Sequence, residues 1–385
     1  MDVALLQSFI QLVNPSLGIA MVVLALLLVF YPRRRSTATL EVTQLYAYPI
    51  KGIRGTALQK ACIGRYGLVG DRTFCLQKVH RNGSNKTHKT MLAGLDLQLA
   101  LFRAAIRYDE RSANETGEVV VTWDGRSTQL DTTHEIRFPL NPPTDSLDEM
   151  EIDLHGSSTK AYDMGDDLSK WFADRLGFEA RLVYIGECSR AVLGSLAPHG
   201  QKGLQKSSGL VGQLQAMLPF NQYPAERLVF ADIAHYLVVT EESNNHVTSL
   251  LTDGYTMDIT KFRPNIVVKG ASGPFVEDFW GELTFDGNIR MPLTANCHRC
   301  QSITVDFNTG KPATDDRGTV WKKLNKTRRV DKGAKYSPVF GRYGYCFGSS
   351  VGKTIVVGQE ARVTRVNRER TIFDWPGLAV YGVKK

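Results

Sequence analysis

Cys297 and Cys300 stand three positions apart in NCHRCQSITVDFNTG, residues 296–310, with Arg299 between them. Thiolates at that spacing serve zinc, a redox dithiol or a softer metal, and buried thiols also pack as small hydrophobes. Structural zinc takes four protein ligands, often two such pairs or one pair with two histidines. Here there is one pair; His298 lies inside it, no histidine follows, and Cys346 is the one later cysteine. A redox dithiol opens a helix after a strand. The alternation of SITVDF, followed by NTG, predicts a strand and a turn instead. Neighbouring residues favour another reading: one thiolate binds a soft or high-valent metal whose remaining ligands come from a cofactor.

Those neighbours are cations and an amide placed at turns. KFRPNIVVKG, 261–270, sets Arg263 and Asn265 on either side of Pro264, whose fixed backbone presents them in defined directions. YPIKGIRG, 48–55, holds Lys51 and Arg54 in a glycine-flanked turn, and GDRTFCL, 70–76, opens a strand with Arg72 beside Asp71. Each alone reads as a solvated turn. Together they are donors around one thiol pair, suited to an anionic cofactor that carries a phosphate.

The elements that must hold these residues read as mainly β (α+β). LEVTQLYAYPI, TFCLQKV, EVVVTWDG, RLVFADIAHYLVVT and PNIVVKG are short apolar alternations broken by turn residues, the pattern of β-rich barrels or sandwiches. GDDLSKWFADRLG, 165–177, predicts a helix: Leu168, Trp171, Phe172 and Leu176 share a face, acids open it and Gly177 caps it. A second helix is expected near Glu241–Leu251, and a loop over 195–215. GSSVGKT, 348–354, imitates a phosphate-binding loop but has three residues between its glycines, not four, and TIVVG after it reads as a strand.

At 385 residues the chain has room for two domains; 43% hydrophobic and 22% charged residues mark a folded chain. Outside the pair, Cys62, Cys75, Cys188 and Cys346 are scattered, a sparse usage that argues for a reducing compartment over a disulfide framework, and a net charge of +8 favours an anionic partner. Residues 10–31 form an apolar stretch long enough to cross a bilayer, which needs about 20 residues. Arg33–Arg35 follow it, so the positive-inside rule keeps the rest of the chain cytosolic. The sequons at Asn82, Asn85, Asn114 and Asn325 are then expected to stay unglycosylated.

In order and spacing these segments resemble the MOSC-domain proteins, most closely the mitochondrial amidoxime reducing component family. The resemblance rests on Tyr48–Lys51, Asp71–Arg72, Phe262–Asn265, Cys297–Cys300 and Thr304–Gly310. Asp166, Asp167, Trp171 and Phe172, and the late Phe340–Gly341, fit as well. It covers about Leu40 to Val363 and is most specific from Phe262 to Gly310. It implies this organisation: an N-terminal segment 1–9, a transmembrane anchor 10–31, a linker 32–39, a MOSC N-terminal β-rich domain 40–190, a MOSC β-barrel domain 191–363 and an extension 364–385.

The resemblance further implies a molybdenum–molybdopterin cofactor. Cys300 would be the catalytic thiolate and metal ligand, with Lys51, Arg72, Arg263, Asn265, Arg299 and Thr240 as cofactor holders. Family activity is reduction of N-hydroxylated compounds such as amidoximes and hydroxylamines. NADH supplies the electrons through cytochrome b5 reductase and cytochrome b5. The implied location is the mitochondrial outer membrane, with endoplasmic reticulum second. Two departures stand out: Gly52 replaces a common serine, and Ala234 lacks an expected hydroxyl that Thr240 is a candidate to replace. His235, beside it, reads as structural. The residues after Val363 run past the family's usual end.

Two rival readings are a cofactor carrier or sulfuration-related protein and a noncatalytic membrane-tethered module. Molybdenum cofactor sulfurases also carry this module, together with a large pyridoxal-phosphate domain for which this chain leaves no room. A final feature is RGTVWKKLNKTRRVDKGAK, 317–335, with eight Lys/Arg and one Asp. It reads either as a solvated loop or as a docking face for an acidic electron donor. Nucleic acid is disfavoured, because Trp321 is its one stacking residue.

Overall fold

The strand Thr39–Ala47 (β1) alternates apolar and polar side chains, and a register shift between Val42 and Gln44 keeps Leu45 and Ala47 inward despite the odd spacing. It heads the computed structural model, which describes residues 38–109, 116–125, 134–198 and 226–379. The expected anchor at 10–31, the Asn114 sequon and most of the 195–215 loop lie outside the described residues. Among the described residues no helix is long and apolar enough to cross a membrane.

β1 is one stave of a closed ring. Its other members are Tyr236–Thr240 (β2), Ile266–Lys269 (β3), Trp280–Phe285 (β4), Ile289–His298 (β5), Val339–Gly344 (β6) and Glu360–Val366 (β7). The hydrogen-bonded order is β3-β2-β6-β5-β4-β7-β1, and β1 pairs back to β3. Closure removes exposed sheet edges. β1 opens the stretch that the sequence assigns to the N-terminal domain, and it also pairs within this barrel. β2 and β3 are a parallel pair within the ring, so the chain must cross over between them. The helix Glu241–Ser249 (α2) lies in that crossover, within the expected span.

The preceding half of the chain contributes a five-stranded sheet that includes Phe74–Asn82, and a three-stranded sheet of Phe102–Tyr108, Gly117–Trp123 and Glu135–Pro139. Asp166–Leu176 (α1) packs here. Trp171, Phe172 and Leu176 are buried, and Phe172 lies 5.6 Å from Phe102. Gly177 is left-handed and its N–H bonds Ala173 O, the cap its sequence predicts. The false phosphate loop is a short 3-10 turn, Gly348–Ser350, followed by the strand Thr354–Val356.

Two expectations need correction. Gln301–Thr304 forms a 3-10 turn and not a strand; only Val305–Asp306 pairs, with Lys311–Pro312. Ser302, Ile303 and Thr304 are buried together by that turn, which an alternation rule does not see. Thr240 is also not available as a cofactor holder. It caps α2: its Oγ1 accepts from Ser243 N at 3.1 Å and donates to Ser243 Oγ at 2.9 Å.

Ser243 Oγ in turn donates to Glu277 Oε1 at 2.6 Å, while Glu277 Oε2 is buried without a partner. Burial pushes the Glu277 carboxyl up to about 7 from an ordinary 4.5. The native state then holds a proton that the unfolded chain releases between those values, so stability from this group falls as pH rises from about 4.5 to 7. Glu277→Gln should therefore stabilise the fold at pH 8, on the order of 2 kcal/mol, with the gain vanishing below about pH 4.5. Thermal melts across pH check this; a gain at pH 4.5 as large as that at pH 8 would contradict it.

Candidate functional site

The thiol pair divides at the end of β5. Cys297 faces inward, in the cluster with Leu237, Val239 and Phe340. Cys300, two residues past the strand end, is exposed, with Sγ 3.1 Å from Ser302 Oγ. None of the six cysteines is in a disulfide. Among the described residues no cluster of three or more His, Cys, Asp or Glu side chains could hold a metal by itself. One thiol reaches a cavity and the other holds an arginine: Arg299 Nη1 bonds Cys297 Sγ at 2.6 Å and Nη2 donates to Phe262 O at 2.8 Å.

The cavity beside Cys300 has a volume of about 480 Å³, within the range of small-molecule sites. Lys51, Arg72, Arg263, Arg299 and Cys300 all line it, so five of the seven sequence candidates meet at one place. Lys51 and Arg72 come from the segment after β1; the others come from the barrel. Asn265 lines a small adjoining cavity of about 40 Å³ that shares Arg72, Arg263 and Arg299 with the larger one. Its Oδ1 accepts from Arg72 Nη1 at 3.0 Å and Leu237 N at 3.1 Å, and its Nδ2 donates to Tyr46 O at 3.3 Å. It positions Arg72 and stitches β1 to β2 from behind.

Arg72 and Arg263 both adopt left-handed backbone, each with φ 55°. Side chains with a Cβ rarely do so, at a cost of about 1 kcal/mol each. Surrounding contacts enforce it. Arg72 pairs with Asp71 and donates to Arg263 O at 3.2 Å, while Arg263 Nη1 donates to Ile53 O at 2.6 Å. The two guanidinium groups lie 4.8 and 4.5 Å from the Tyr48 ring centroid. Burial, and then Arg72, push Arg263 down to about 10. Burial also lowers Lys51, partly offset by its pairing with Asp232. The cationic side chains are held against desolvation and mutual repulsion. An anion between them relieves both.

A mononuclear metal held by one protein thiolate and an anionic, phosphorylated pterin fits this donor set. Two further observations agree. Arg299 Nε is a buried donor without a partner. The turn 92–95 brings Gly94 against the thiol so closely that a Cβ there would lie 2.8 Å from Cys300 Sγ. Gly52 has φ 84° and a Cβ on it would meet Leu99 Cδ1 at 2.7 Å, which accounts for glycine where serine was expected. His235 is buried, with Nε2 2.8 Å from Arg227 O, and burial pushes it down to about 4. Its role is structural.

Several lining residues escaped sequence reasoning: His155, whose Nε2 lies 3.3 Å from Asp232 Oδ1, and Leu95, Tyr343, Phe373 and Leu378. None sits in a chemical motif. Asp232 and its partner His155 lie 77 residues apart, so no local pattern joins them.

This fold is that of a known class. The MOSC N-terminal beta barrel domain matches residues 39–179 and the MOSC domain matches 225–364, and the chain belongs to the MOSC-domain proteins. It is similar to the mitochondrial amidoxime-reducing component 1 of Mus musculus, 26% identical over 81% of this chain and 79% of that protein. The Homo sapiens protein of that name is 24% identical over 81% of each. The molybdenum cofactor sulfurase of Homo sapiens is 24% identical over 75% of this chain but 29% of its own length.

Proposed function

We propose that this protein is a molybdenum-cofactor oxidoreductase that reduces N-hydroxylated compounds, amidoximes and hydroxylamines among them. The observation that carries this reading is one exposed thiol, Cys300, opening into a cavity ringed by Lys51, Arg72, Arg263 and Arg299. Similarity to amidoxime-reducing components over about four-fifths of both chains supports it. The likeness to sulfurases covers under a third of those proteins, which makes the sulfuration reading second.

Molybdenum bound at Cys300 would supply oxygen-atom transfer and one-electron redox chemistry. The reaction breaks the substrate N–O bond, consumes two electrons and two protons, and releases water and the N–H product. The protein's own groups bind and orient. Lys51, Arg72 and Arg263 would hold the cofactor's anionic groups, and Arg299 has a free donor for the same task. Cys297 and Phe262 O fix Arg299, and Asn265 fixes Arg72. The Gly94 turn leaves space at the thiol and shields it on that side.

Electrons would come from the cytochrome b5 chain. In the basic run, Arg317 pairs with Asp315, Lys323 with Asp316 and Arg328 with buried Asp278. Lys322, Lys326, Arg329, Lys332 and Lys335 remain exposed. The last two flank Ala334, which lines the Cys300 cavity. An acidic donor would be steered there. The double variant Lys332→Glu/Lys335→Glu should lower kcat/KM for reduced cytochrome b5 about tenfold at low salt. That difference should shrink at about 0.5 M salt, where screening is strong, and should be missing with dithionite as reductant. An equal loss with both reductants would contradict a docking role.

Residues 10–31 would anchor the protein with its folded part in the cytosol, at the mitochondrial outer membrane. Reduction of benzamidoxime to benzamidine by the reconstituted NADH-driven chain tests the whole reading. Cofactor-loaded protein that reduces no N-hydroxylated compound would leave the carrier reading in its place.

A further inference from the structure

The segment that follows β7 lies beyond the matched MOSC domain, which ends at residue 364. It is not a loose tail over the residues described. Arg370 Nε bonds Asp278 Oδ2 at 2.7 Å, and Arg342 Nη1 donates to Thr371 Oγ1 at 2.7 Å. Phe373 N donates to Asp331 Oδ1 at 3.1 Å, and Ser195 N donates to Asp374 Oδ1 at 2.8 Å. Trp375 is fully buried, and its Nε1 donates to His155 O at 2.8 Å. Barrel residues and the His155 hairpin are thus tied by one strap. Gly333 makes way for it, since a Cβ there would overlap the Phe373 carbonyl oxygen.

That anchoring aims two apolar side chains at the Cys300 cavity. Phe373 packs edge-on to His298, with ring centroids 4.6 Å apart, and lines the cavity with Leu378. Leu378 is 46% exposed and Leu95, on the Gly94 turn, is 70% exposed. Five large apolar side chains are at least 46% exposed among the described residues, and two of them border this single cavity. Isolated exposed leucines are ordinary, whereas two at one mouth mark a contact surface. Leu95 is not loose: Leu95 N bonds Leu92 O at 2.9 Å, and Leu92 N bonds Asp96 Oδ2 at 2.9 Å. The opposite character lies deeper, where the cations and the thiol converge.

We propose that the strap, through Phe373 and Leu378, forms with Leu95 an apolar clamp. It selects substrates that join an N-hydroxylated head to an apolar hydrocarbon body. This rests on the reductase reading and names the substrate class within it. The head faces Cys300; the body is held between Leu95 and the strap.

Benzamidoxime and acetamidoxime share one head and differ in body. The test uses the full-length, cofactor-loaded protein with Leu95→Ser, Leu378→Ser and Leu378→Met. Both leucines are surface side chains, so the fold tolerates their loss. Steady-state kinetics should show the benzamidoxime-to-acetamidoxime ratio of kcat/KM falling about fivefold to tenfold in each serine variant. The change should lie in KM for benzamidoxime, and Leu378→Met should restore the ratio. Calorimetric titration with benzamidoxime should show the same loss of affinity without turnover. An unchanged ratio in both serine variants overturns the clamp while leaving the reductase reading intact. Clamp-dependent binding without reduction of either compound overturns the reductase reading and leaves the clamp.

Discussion

Cys300→Ala should lower turnover of benzamidoxime by more than about a hundredfold, because even the outer partners of a metal ligand are worth roughly 10–100-fold. The thermal midpoint should hardly move. Cys300 is exposed, it ends no hydrogen-bond chain in the core, and alanine only enlarges the space beside Gly94. Cys297→Ala should do the reverse. It leaves a guanidinium nitrogen of Arg299 buried without its sulfur partner and opens a gap beside Val239 and Phe340. That costs about 2–3 kcal/mol of stability and leaves a cofactor-loaded enzyme with much of its activity. Activity assays and melts of the two variants separate the roles. Equal activity in Cys300→Ala and wild type would remove the central residue.

Arg72→Met should be the most destabilising single change at the site. Asp71 is 1% exposed in its side chain and Arg72 11%, so the pair is buried. Asp71 Oδ1 also accepts from Tyr48 N at 2.8 Å, which fixes the turn before Lys51. Methionine fills the volume but strands that carboxylate, and Asn265 Oδ1 loses one donor. Breaking a buried pair from one side costs about 3–5 kcal/mol, and roughly 10 °C in a domain of this size. Arg72→Lys keeps the charge but cannot span Asp71, Asn265 and Arg263 O together, so it should fall between. Differential scanning calorimetry orders the three proteins. A methionine variant as stable as wild type would show that the network does not carry the fold here.

Much of this site was legible because its chemistry is local in sequence. Lys51, Arg72, Arg263, Arg299 and Cys300 each sit in a short phrase whose turn or strand end announces itself, and all five line one cavity. The α1 helix was readable for the same reason, down to its Gly177 cap. What failed was anything decided by tertiary partners. Thr240 looked like a spare hydroxyl, but α2 begins there and a helix start consumes such a group. Asn265 lies beside Arg72, Arg263 and Arg299 in the small adjoining cavity, but its three internal hydrogen bonds depend on tertiary partners that sequence does not show. The strap from Arg370 to Ala379 carries no periodicity; its place follows from Trp375 finding His155, 220 residues earlier. β1 alternates as a strand should, yet nothing local says that it closes a barrel with β3, more than 200 residues later.

The most direct measurement is molybdenum and pterin content of the purified full chain and of Cys300→Ala, each made in a host that synthesises the cofactor. The expected result is about one molybdenum per wild-type chain and a small fraction of that in the variant, with both proteins folded by circular dichroism. Well-folded wild-type protein without molybdenum, or equal metal in both proteins, would contradict the assignment of Cys300 as the ligand.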